Sequence, residues 1–265
     1  LDHSVRAFLS DRYRRLDHLE LCSAVLPVIQ EMKGAEITSC DVTDAHLYLK
    51  VINRKLKEEV AVGDVVQAGF VISNSEIGLG SLRVEPLVFR LVCKNGLIIK
   101  DYAQKKYHVG RQINEQPNDA YELYSDETLA QDDKAFFMKV QDIVRSAVDE
   151  TKFHLSVRKL QEAKQIPLTH NPVEAVEVLA DSFQLNQNER GDVLRQLFLG
   201  KDCSRYGLIN AVTAASQLSE SYERATELER IGGELLAYPA PKTLSAGQQP
   251  AKPMRNVTPD LPRLT

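Results

Sequence analysis

The sequence predicts an α+β fold, in which helices pack on an antiparallel β-sheet with a central Asn-Gly hairpin. Three observations lead to this prediction. Apolar and polar residues alternate in the first half of the chain, apolar residues recur at helical spacing in the second half, and six of the 11 prolines follow residue 238. A change of period of this kind is typical of folds that separate strands from helices.

The first element is a helix that begins after Asp17. Asp17 and Glu20 have the spacing of a capping box, in which each side chain accepts a hydrogen bond from a backbone amide at the helix start. Gly34 is placed to end the helix, and Pro27 should kink or divide it. Alternating strands follow, over residues 45–52 and 65–73. In the first of them the pattern points Tyr48 and Lys50 outward.

The hairpin is the strongest local signal in the chain. Residues 84–93 form its most apolar run and are apolar on both faces, as in a strand at the middle of a covered sheet. Asn95-Gly96 follows at once, and this pair favours a two-residue turn in which both residues have positive φ. Residues 97–102 would then form the returning strand.

The second half reads as a series of helices. One long stretch runs from about residue 125 to 165, with a break predicted near 149–152. Asn171, Pro172 and Glu174 have the spacing of a helix start, and Gly232-Gly233 is placed to end the last helix. We therefore divide the chain into a helix with a sheet (1–116), a helical region that packs on the sheet (117–238) and a disordered Pro-rich tail (239–265).

Composition limits the functional class. The net charge is −4, which argues against indiscriminate binding to nucleic acid, although focused positive charge can still bind a polyanion. No apolar run is long enough to cross a membrane. The four cysteines are far apart, which favours buried, reduced thiols in a cytoplasmic protein. Because the chain begins at Leu1 rather than Met, the sequence leaves open what precedes it.

Motifs for catalysis and cofactor binding are missing. Gly78 and Gly80 follow a strand, but another strand comes next, whereas a dinucleotide site needs a helix there. No histidine pair has the spacing of a metal site, and the chain has no Walker or nucleophile-elbow motif. We therefore predict no catalytic residue, no metal and no cofactor, and favour a non-enzymatic protein.

Two basic segments are candidate binding sites. One is a strip that follows the apolar strand, formed by Lys94, Lys100, Tyr102, Lys105, Lys106, Tyr107 and Arg111. The other is an arm that contains Arg12, Arg14 and Arg15. Lysine and arginine can contact phosphates, and tyrosine can stack on unpaired bases. The alternatives are an edge strand that lysines protect against sheet-to-sheet pairing, and a solvated arm.

Four segments resemble a known family. They are FLSDRYRRLD (8–17), ISNSEIG (72–78), RLVCKNGL (90–97) and YGLINAVT (206–213). They are similar to the phage- and plasmid-borne family known as domain of unknown function 932, and the R-x-x-C-x-N-G hairpin is the most specific part. The resemblance implies a role in mobile-element biology, but it brings no established activity and no catalytic residues. At the level of fold alone, the predicted order of elements is similar to that of ring-forming single-strand annealing proteins.

These observations lead to one hypothesis and one alternative. The hypothesis is a non-enzymatic protein of mobile genetic elements that binds single-stranded DNA, of the recombination or annealing type, with homo-oligomers left open. The alternative is a protein–protein interaction module, for assembly or for inhibition of a host factor, that acts through the acidic helical half.

Overall fold

The computed structural model describes residues 16–99 and 126–237, together with residues 5, 7 and 8. In this part of the chain, five antiparallel strands form one sheet in the order β1-β2-β3-β4-β5. The strands are β1 (Ala35–Val42), β2 (Leu47–Ala61), β3 (Asp64–Asn74), β4 (Arg83–Arg90) and β5 (Asn95–Ile98). Every neighbour in the sheet is also the next strand in the sequence, so the sheet is a simple meander.

Seven α-helices accompany the sheet within the same described ranges. They are α1 (His18–Glu31), α2 (Asp126–Ser146), α3 (Glu150–Lys164), α4 (Pro172–Phe183), α5 (Gln187–Gly200), α6 (Arg205–Ala215) and α7 (Tyr222–Ala237). The predicted α+β class and the helical C-terminal region are confirmed. The predicted Pro-rich tail, 239–265, lies outside the described residues.

We call the side of the sheet that contacts α1, α2 and α3 the first face. Near α1 and α2 its core contains Leu21, Val25, Phe70, Ile72 and Val140. Further along the same face, α3 and α6 pack on β3, β4 and β5. The residues of that second cluster include Val66, Ala68, Val88, Leu97, Val157, Leu160 and Ile209. Alternation along β3 places all its even-numbered apolar residues on this face.

The second face of the sheet is covered by α7, which corrects the predicted orientation of β2. Tyr48 and Lys50 were expected to face solvent, but they are only 4% and 8% exposed. The hydroxyl of Tyr222 in α7 lies 2.7 Å from Ser39 Oγ, and Thr43 Oγ1 donates to Glu223 at 2.6 Å. Period-2 alternation identifies two faces but does not reveal that both are covered, so the expectation failed.

The hairpin between β4 and β5 forms, but its turn differs from the predicted one. Arg90 pairs with Asn95 and Phe89 with Gly96, so the turn is 91–94 and Asn95-Gly96 begins β5. Lys94 supplies the positive φ, at 52°. The strand ends at Arg90, and residues 91–93, which the apolar run placed in the core strand, are exposed in the turn.

Helix α7 continues through Gly232-Gly233, where we predicted its end. A Cβ on Gly233 would lie 1.8 Å from the carbonyl oxygen of Ile98, and one on Gly232 would lie 2.4 Å from Thr213 Cγ2. The glycines therefore allow α7 to approach β5 and α6 closely. Glycine has two common uses, as a helix stop and as a point of close approach, and the local sequence does not distinguish them.

The predicted helix ends have mixed outcomes. Asn171 caps α4 by accepting from Glu174 N at 3.0 Å, as predicted. Asp17 makes no capping hydrogen bond to α1, so the predicted capping box there is wrong. Helix α1 also remains one element despite Pro27.

The prediction of buried thiols is wrong for three cysteines, since Cys40, Cys93 and Cys203 are exposed. They lie in an edge strand, a turn and a loop, which solvent reaches.

Candidate functional site

Lys94 is the one predicted nucleic-acid contact within the described residues. It is exposed in the turn between β4 and β5. The other predicted contacts, Arg12, Arg14, Arg15, Lys100, Tyr102, Lys105, Lys106, Tyr107 and Arg111, lie outside the described residues. The structure does describe where both basic segments join the fold.

The arm joins the sheet at the end of β3. Asn74 Nδ2 donates to the carbonyl oxygen of Leu16 at 2.9 Å, and the backbone amide of His18 donates to Glu76 Oε1 at 2.7 Å. Glu76 thereby supplies an acceptor at the start of α1, where an anion is favoured by the helix dipole. These contacts involve the ISNSEIG segment, and they fix the position of Leu16, which directly follows the arm in the sequence. We call this the Asn74 end.

Strand β5 runs toward the same end, so Ile99, the last described residue before Lys100, lies on that side of Asn95. Strands β3 and β5 are both antiparallel to β4, so they run in the same direction. The Ile99 amide donates to the carbonyl oxygen of Pro86 at 2.9 Å, and Pro86 pairs with Phe70 on β3. From Phe70 to Asn74 is about 13 Å along the strand, and β5 lies about 10 Å from β3, so the two junctions are about 16 Å apart.

A second group of residues lies at the opposite end of the sheet, which we call the turn end. Arg90 makes two hydrogen bonds to Asp64, at 2.6 and 2.7 Å, and Tyr206 donates to the same carboxylate at 2.6 Å. Burial alone would lower the pKa of Arg90, but the bonds to Asp64 raise it overall. Burial and the bond to Asp64 raise the pKa of Tyr206, so its hydroxyl stays protonated.

Asn95 and Gly96 are held between two helices. Asn95 Nδ2 donates to Thr213 Oγ1 of α6 at 2.5 Å on the first face. Gly96 N donates to Glu229 Oε1 of α7 at 3.2 Å, and a Cβ on Gly96 would lie 2.6 Å from Leu87 Cδ1 on the second face. The Asn-Gly pair therefore fixes the start of β5 between α6 and α7 rather than forming a turn.

The cavity beside this network is too small for a ligand. It measures about 10 Å³ and is lined by Arg90, Asn95, Tyr206, Asn210 and Thr213, among others. That volume corresponds to about one water molecule. Arg90 is cationic and Tyr206 is protonated, and both are bonded to Asp64, so the space beside them is too small for a substrate. Instead, Arg90, Asn95 and Gly96 of the R-x-x-C-x-N-G hairpin fix its position against α6 and α7.

Two ion pairs on the second face complete the attachment of α7. Lys50 Nζ lies 2.8 Å from Glu229 Oε1 and 2.7 Å from Oε2, and Arg230 donates to Glu85 Oε2 at 2.7 Å. Burial raises the pKa of Glu229, although Lys50 and the Gly96 amide oppose that effect. The side chain of Glu229 is only 1% exposed, so without Lys50 its negative charge would be buried and would lack its ion-pair partner.

Sequence reasoning missed four members of these networks: Lys50, Asp64, Tyr206 and Glu229. A lysine between two apolar strand residues was the only local signal for Lys50, and it was read as an outward position. Arg90 belongs to the RLVCKNGL segment, but its partner Asp64 is 26 positions away and has no signal in that segment. The YGLINAVT segment pointed to Tyr206 and Thr213 as a family feature but did not reveal their partners.

Among residues 16–99 and 126–237, no three histidine, cysteine, aspartate or glutamate side chains are grouped as metal ligands. Within that range, too, no helix combines the length and apolarity needed to span a bilayer.

Comparison with known proteins identifies a family and nothing more specific. A family model described as "Domain of unknown function (DUF932)" matches residues 5–233. No curated protein and no solved structure matches the chain. The match covers the sheet and nearly all of α1 to α7, including the contacts of Asn95-Gly96 with Thr213 and Glu229. The chain therefore belongs to the family of domain of unknown function 932.

Proposed function

We propose that this protein is a non-enzymatic, cytoplasmic nucleic-acid-binding protein that holds single-stranded DNA at the Asn74 end of its sheet. The observation that carries the proposal is that Leu16 and Ile99, the described residues next to the two basic segments, both lie toward this end of the sheet, at a separation of about 16 Å from ideal strand spacing. Lysine and arginine from two segments attached at such nearby junctions can follow one phosphate backbone. A role in mobile-element recombination or annealing follows from the resemblance alone.

Charge pairing in the folded body supports this assignment. Arg90, Arg230 and Lys50 are each paired with a carboxylate and held away from solvent. They add little to the outer field, so we assign the proposed phosphate contacts to the two segments rather than to these three cations. Lys94 is exposed at the turn end, separated from Ile99 by the length of β5, so we treat it as a separate and weaker contact.

Binding of a labelled oligonucleotide, measured by fluorescence anisotropy over a range of salt concentrations, tests the proposal. We expect Lys105→Ala with Lys106→Ala to weaken binding and to reduce the slope of log K against log salt by about 1.4, or about 0.7 per lost phosphate contact. Tyr107→Ala should weaken binding by about 1–3 kcal/mol if a base stacks there.

A matched control comes from two exposed lysines on α3. Lys152→Ala with Lys159→Ala removes the same charge from a part of the surface outside both segments, so affinity and salt slope should change little. If wild type fails to bind at low salt, or if both double variants lose the same affinity, the proposal is wrong. Duplex DNA and RNA of equal length show whether single-stranded DNA is preferred.

The alternative, a protein–protein interaction module, has one observation in its favour. Phe198 and Leu199 at the end of α5 are 56% and 68% exposed, within the acidic helical half. Exposed aromatic and aliphatic side chains of this kind are typical of interaction surfaces. A stoichiometric protein partner that survives nuclease treatment and is lost in Phe198→Asp would favour this function over DNA binding.

A further inference from the structure

Asn95-Gly96 is the one Asn-Gly pair in the sequence. In an unfolded chain this pair is chemically labile, because glycine has no side chain to hinder an attack by its own backbone nitrogen on the side-chain amide of the preceding asparagine. Asn95 lies in β5 and is only 2% exposed, and Gly96 is also buried. The resistance of the pair to this reaction therefore depends on the contacts that hold β5.

The side chain of Asn95 is fixed on the first face of the sheet. Its Nδ2 donates to Thr213 Oγ1 at 2.5 Å, and the hydroxyl of Thr213 donates to the carbonyl oxygen of Ile209 at 3.0 Å. Side chains of a strand stand roughly perpendicular to the sheet, whereas backbone N–H groups lie in its plane. The strand thus keeps Cγ of Asn95 away from the nitrogen of Gly96, which it must contact to react.

Helix α7 holds the backbone nitrogen of Gly96 from the outer side of β5. The Gly96 amide donates to Glu229 Oε1 at 3.2 Å, and Lys50 Nζ lies 2.7 Å from Oε2 of the same carboxylate. Further along α7, Gly233 lets the helix approach the carbonyl oxygen of Ile98. Within the described sheet, β5 pairs with β4 alone, and α7 meets its other edge. Without α7, this strand of 4 residues can open locally.

We propose that Asn95 is a modification site under the control of α7. While α7 is docked on β5, Asn95 stays intact, and when α7 leaves, Asn95 deamidates through attack by the nitrogen of Gly96. Release of α7 removes the acceptor that holds the Gly96 amide, and it lets β5 leave the extended conformation. The proposal rests on the docking of α7 and is independent of nucleic-acid binding.

The reaction needs no reagent other than water. The nitrogen of Gly96 loses its proton and forms a bond to Cγ of Asn95, and Nδ2 leaves with that proton as ammonia. The product is a cyclic succinimide. Water then opens the ring at either carbonyl, which gives an aspartate at position 95 or an isoaspartyl linkage in which the main chain runs through Cγ.

The isoaspartyl product cannot return to the original strand. Its main chain contains one additional carbon between residues 95 and 96, so Leu97 and Ile98 no longer lie opposite their partners on β4. A change of register turns buried side chains to the wrong face of a sheet. Helix α7 then lacks the surface on which it docked, so the modification makes a transient release permanent.

Peptide mapping of the full chain tests the proposal. Trypsin cleaves after Lys94 and Lys100, so mass spectrometry reads the state of residue 95 from the peptide 95–100, and chromatography separates its aspartyl and isoaspartyl forms. The protein is incubated at mildly alkaline pH, folded or unfolded in guanidinium chloride. Deamidation of folded wild type should be at least about 100-fold slower, since each factor of ten corresponds to about 1.4 kcal/mol of opening free energy.

Two variants loosen α7 without touching Asn95. Gly233→Ala should raise the rate of deamidation about 100-fold, the factor that corresponds to overpacking by about 3 kcal/mol. Arg230→Met removes the pair with Glu85, whose side chain is 17% exposed, and should raise the rate about 10-fold. Leu21→Ala is the control, because it destabilises the core under α1 by a comparable amount and leaves α7 unchanged. In that variant the rate should stay close to that of wild type.

Three results would overturn the proposal. Rapid deamidation of folded wild type would show that the docking of α7 gives no protection. Equal acceleration in Gly233→Ala and Leu21→Ala would assign the reaction to global unfolding instead of release of α7. An unchanged rate in both Gly233→Ala and Arg230→Met would show that α7 does not control Asn95. Circular dichroism confirms that each variant is folded, and Arg230→Met decides the question if Gly233→Ala does not fold.

Discussion

The two faces of the sheet are buried by different means. On the first face, α1, α2 and α3 cover the strands with apolar side chains such as Leu21, Val25 and Phe70. On the second face, α7 brings Glu229 and Arg230 against the strands, where they meet Lys50 and Glu85. One face is held by transfer of apolar surface from water, whereas the other combines a small apolar cluster of Val71, Leu87 and Ile98 with charges that must be paired.

The difference matters because the two kinds of contact have different energetic consequences. Each buried Val, Leu or Phe on the first face contributes about 1.5–3 kcal/mol. A buried ion pair contributes little net stability, but the loss of one partner is severe because it leaves the other charge desolvated. We therefore expect the second face to decide where α7 sits, and the first face to supply most of the stability.

The largest expected effect comes from removing one charge of the buried pair. Glu229→Ala leaves Lys50 buried without its carboxylate and should lower the free energy of unfolding by about 3–5 kcal/mol. Glu36→Ala removes the partner of Arg54, which is 67% exposed, and should cost less than about 1 kcal/mol. Urea denaturation measures both, and equal losses would show that the second face is not special.

Next in size is the effect of a methyl group between α7 and β5. Gly233→Ala places a Cβ 1.8 Å from the carbonyl oxygen of Ile98, so the helix or the strand must shift. We expect a loss of about 3 kcal/mol, at the upper end for overpacking. Gly191→Ala on α5 is the control, because its Cβ would have no neighbour within 4 Å. That change should stabilise the helix by about 0.5–1 kcal/mol.

The outcome for Gly191→Ala separates packing from propensity. If both glycine variants were stabilised, α7 would not approach β5 closely and the fold of the second face would need revision. A loss at Gly233 alone, with cooperative unfolding retained, would support the close contact.

The sequence predicted the elements whose signal is local. Helix α4 has its cap, its proline and its acidic residue within four positions, and strand alternation marks the first face without reference to other segments. These features depend on neighbours in the chain, and the structure agrees with them. The α+β class follows from the same local periods.

The second face could not be predicted in this way. Lys50 and Glu229 are 179 positions apart, and neither shows in its own segment that the other is its partner. Asn95-Gly96 and Gly232-Gly233 have strong local meanings, a turn and a stop, which tertiary contacts override. Both pairs are used where backbone comes close to a helix, and that need arises only once α6 and α7 are in place.

The basic segments show a different limit. Their residues were selected because charge and aromatic content are visible in the sequence. The junctions at Leu16 and Ile99 come only from the folded sheet, because the direction of β5 relative to β3 depends on strand order. The structure thus places the two junctions, whereas all the singled-out basic residues except Lys94 lie outside the described ranges.

A smaller effect distinguishes two carboxylates by their pH dependence. Burial raises the pKa of Glu229, whereas the bonds from Arg224 lower the pKa of Glu189. Glu229, whose pKa is raised, contributes stability that is complete below the ordinary glutamate pKa of 4.5. That stability is lost as pH rises through the pKa of Glu229 in the folded protein. Glu189, whose pKa is lowered, contributes stability above pH 4.5. That stability is lost as pH falls through the pKa of Glu189 in the folded protein.

Comparison with glutamine variants measures these opposite signs. From about pH 4 to about pH 8, the advantage of wild type over Glu229→Gln should shrink as pH rises, by at most about 1.4 kcal/mol per pH unit. The advantage over Glu189→Gln should instead shrink at the acid end. Slopes of the same sign would mean that the effect of Lys50 on the pKa of Glu229 is larger than the effect of burial.

The smallest effect is expected when the second face is made to resemble the first. Lys50→Met combined with Glu229→Gln removes both charges but keeps an oxygen that can accept the bond from the Gly96 amide. We expect a loss of only about 1 kcal/mol, because replacing both members of a buried pair avoids an unpaired charge. A double-mutant cycle with Glu229→Gln and Lys50→Met alone gives the coupling energy between the two residues. If the double variant loses as much as the sum of the single ones, the pair is not coupled, and the position of α7 is set by the glycines and by Arg230 instead.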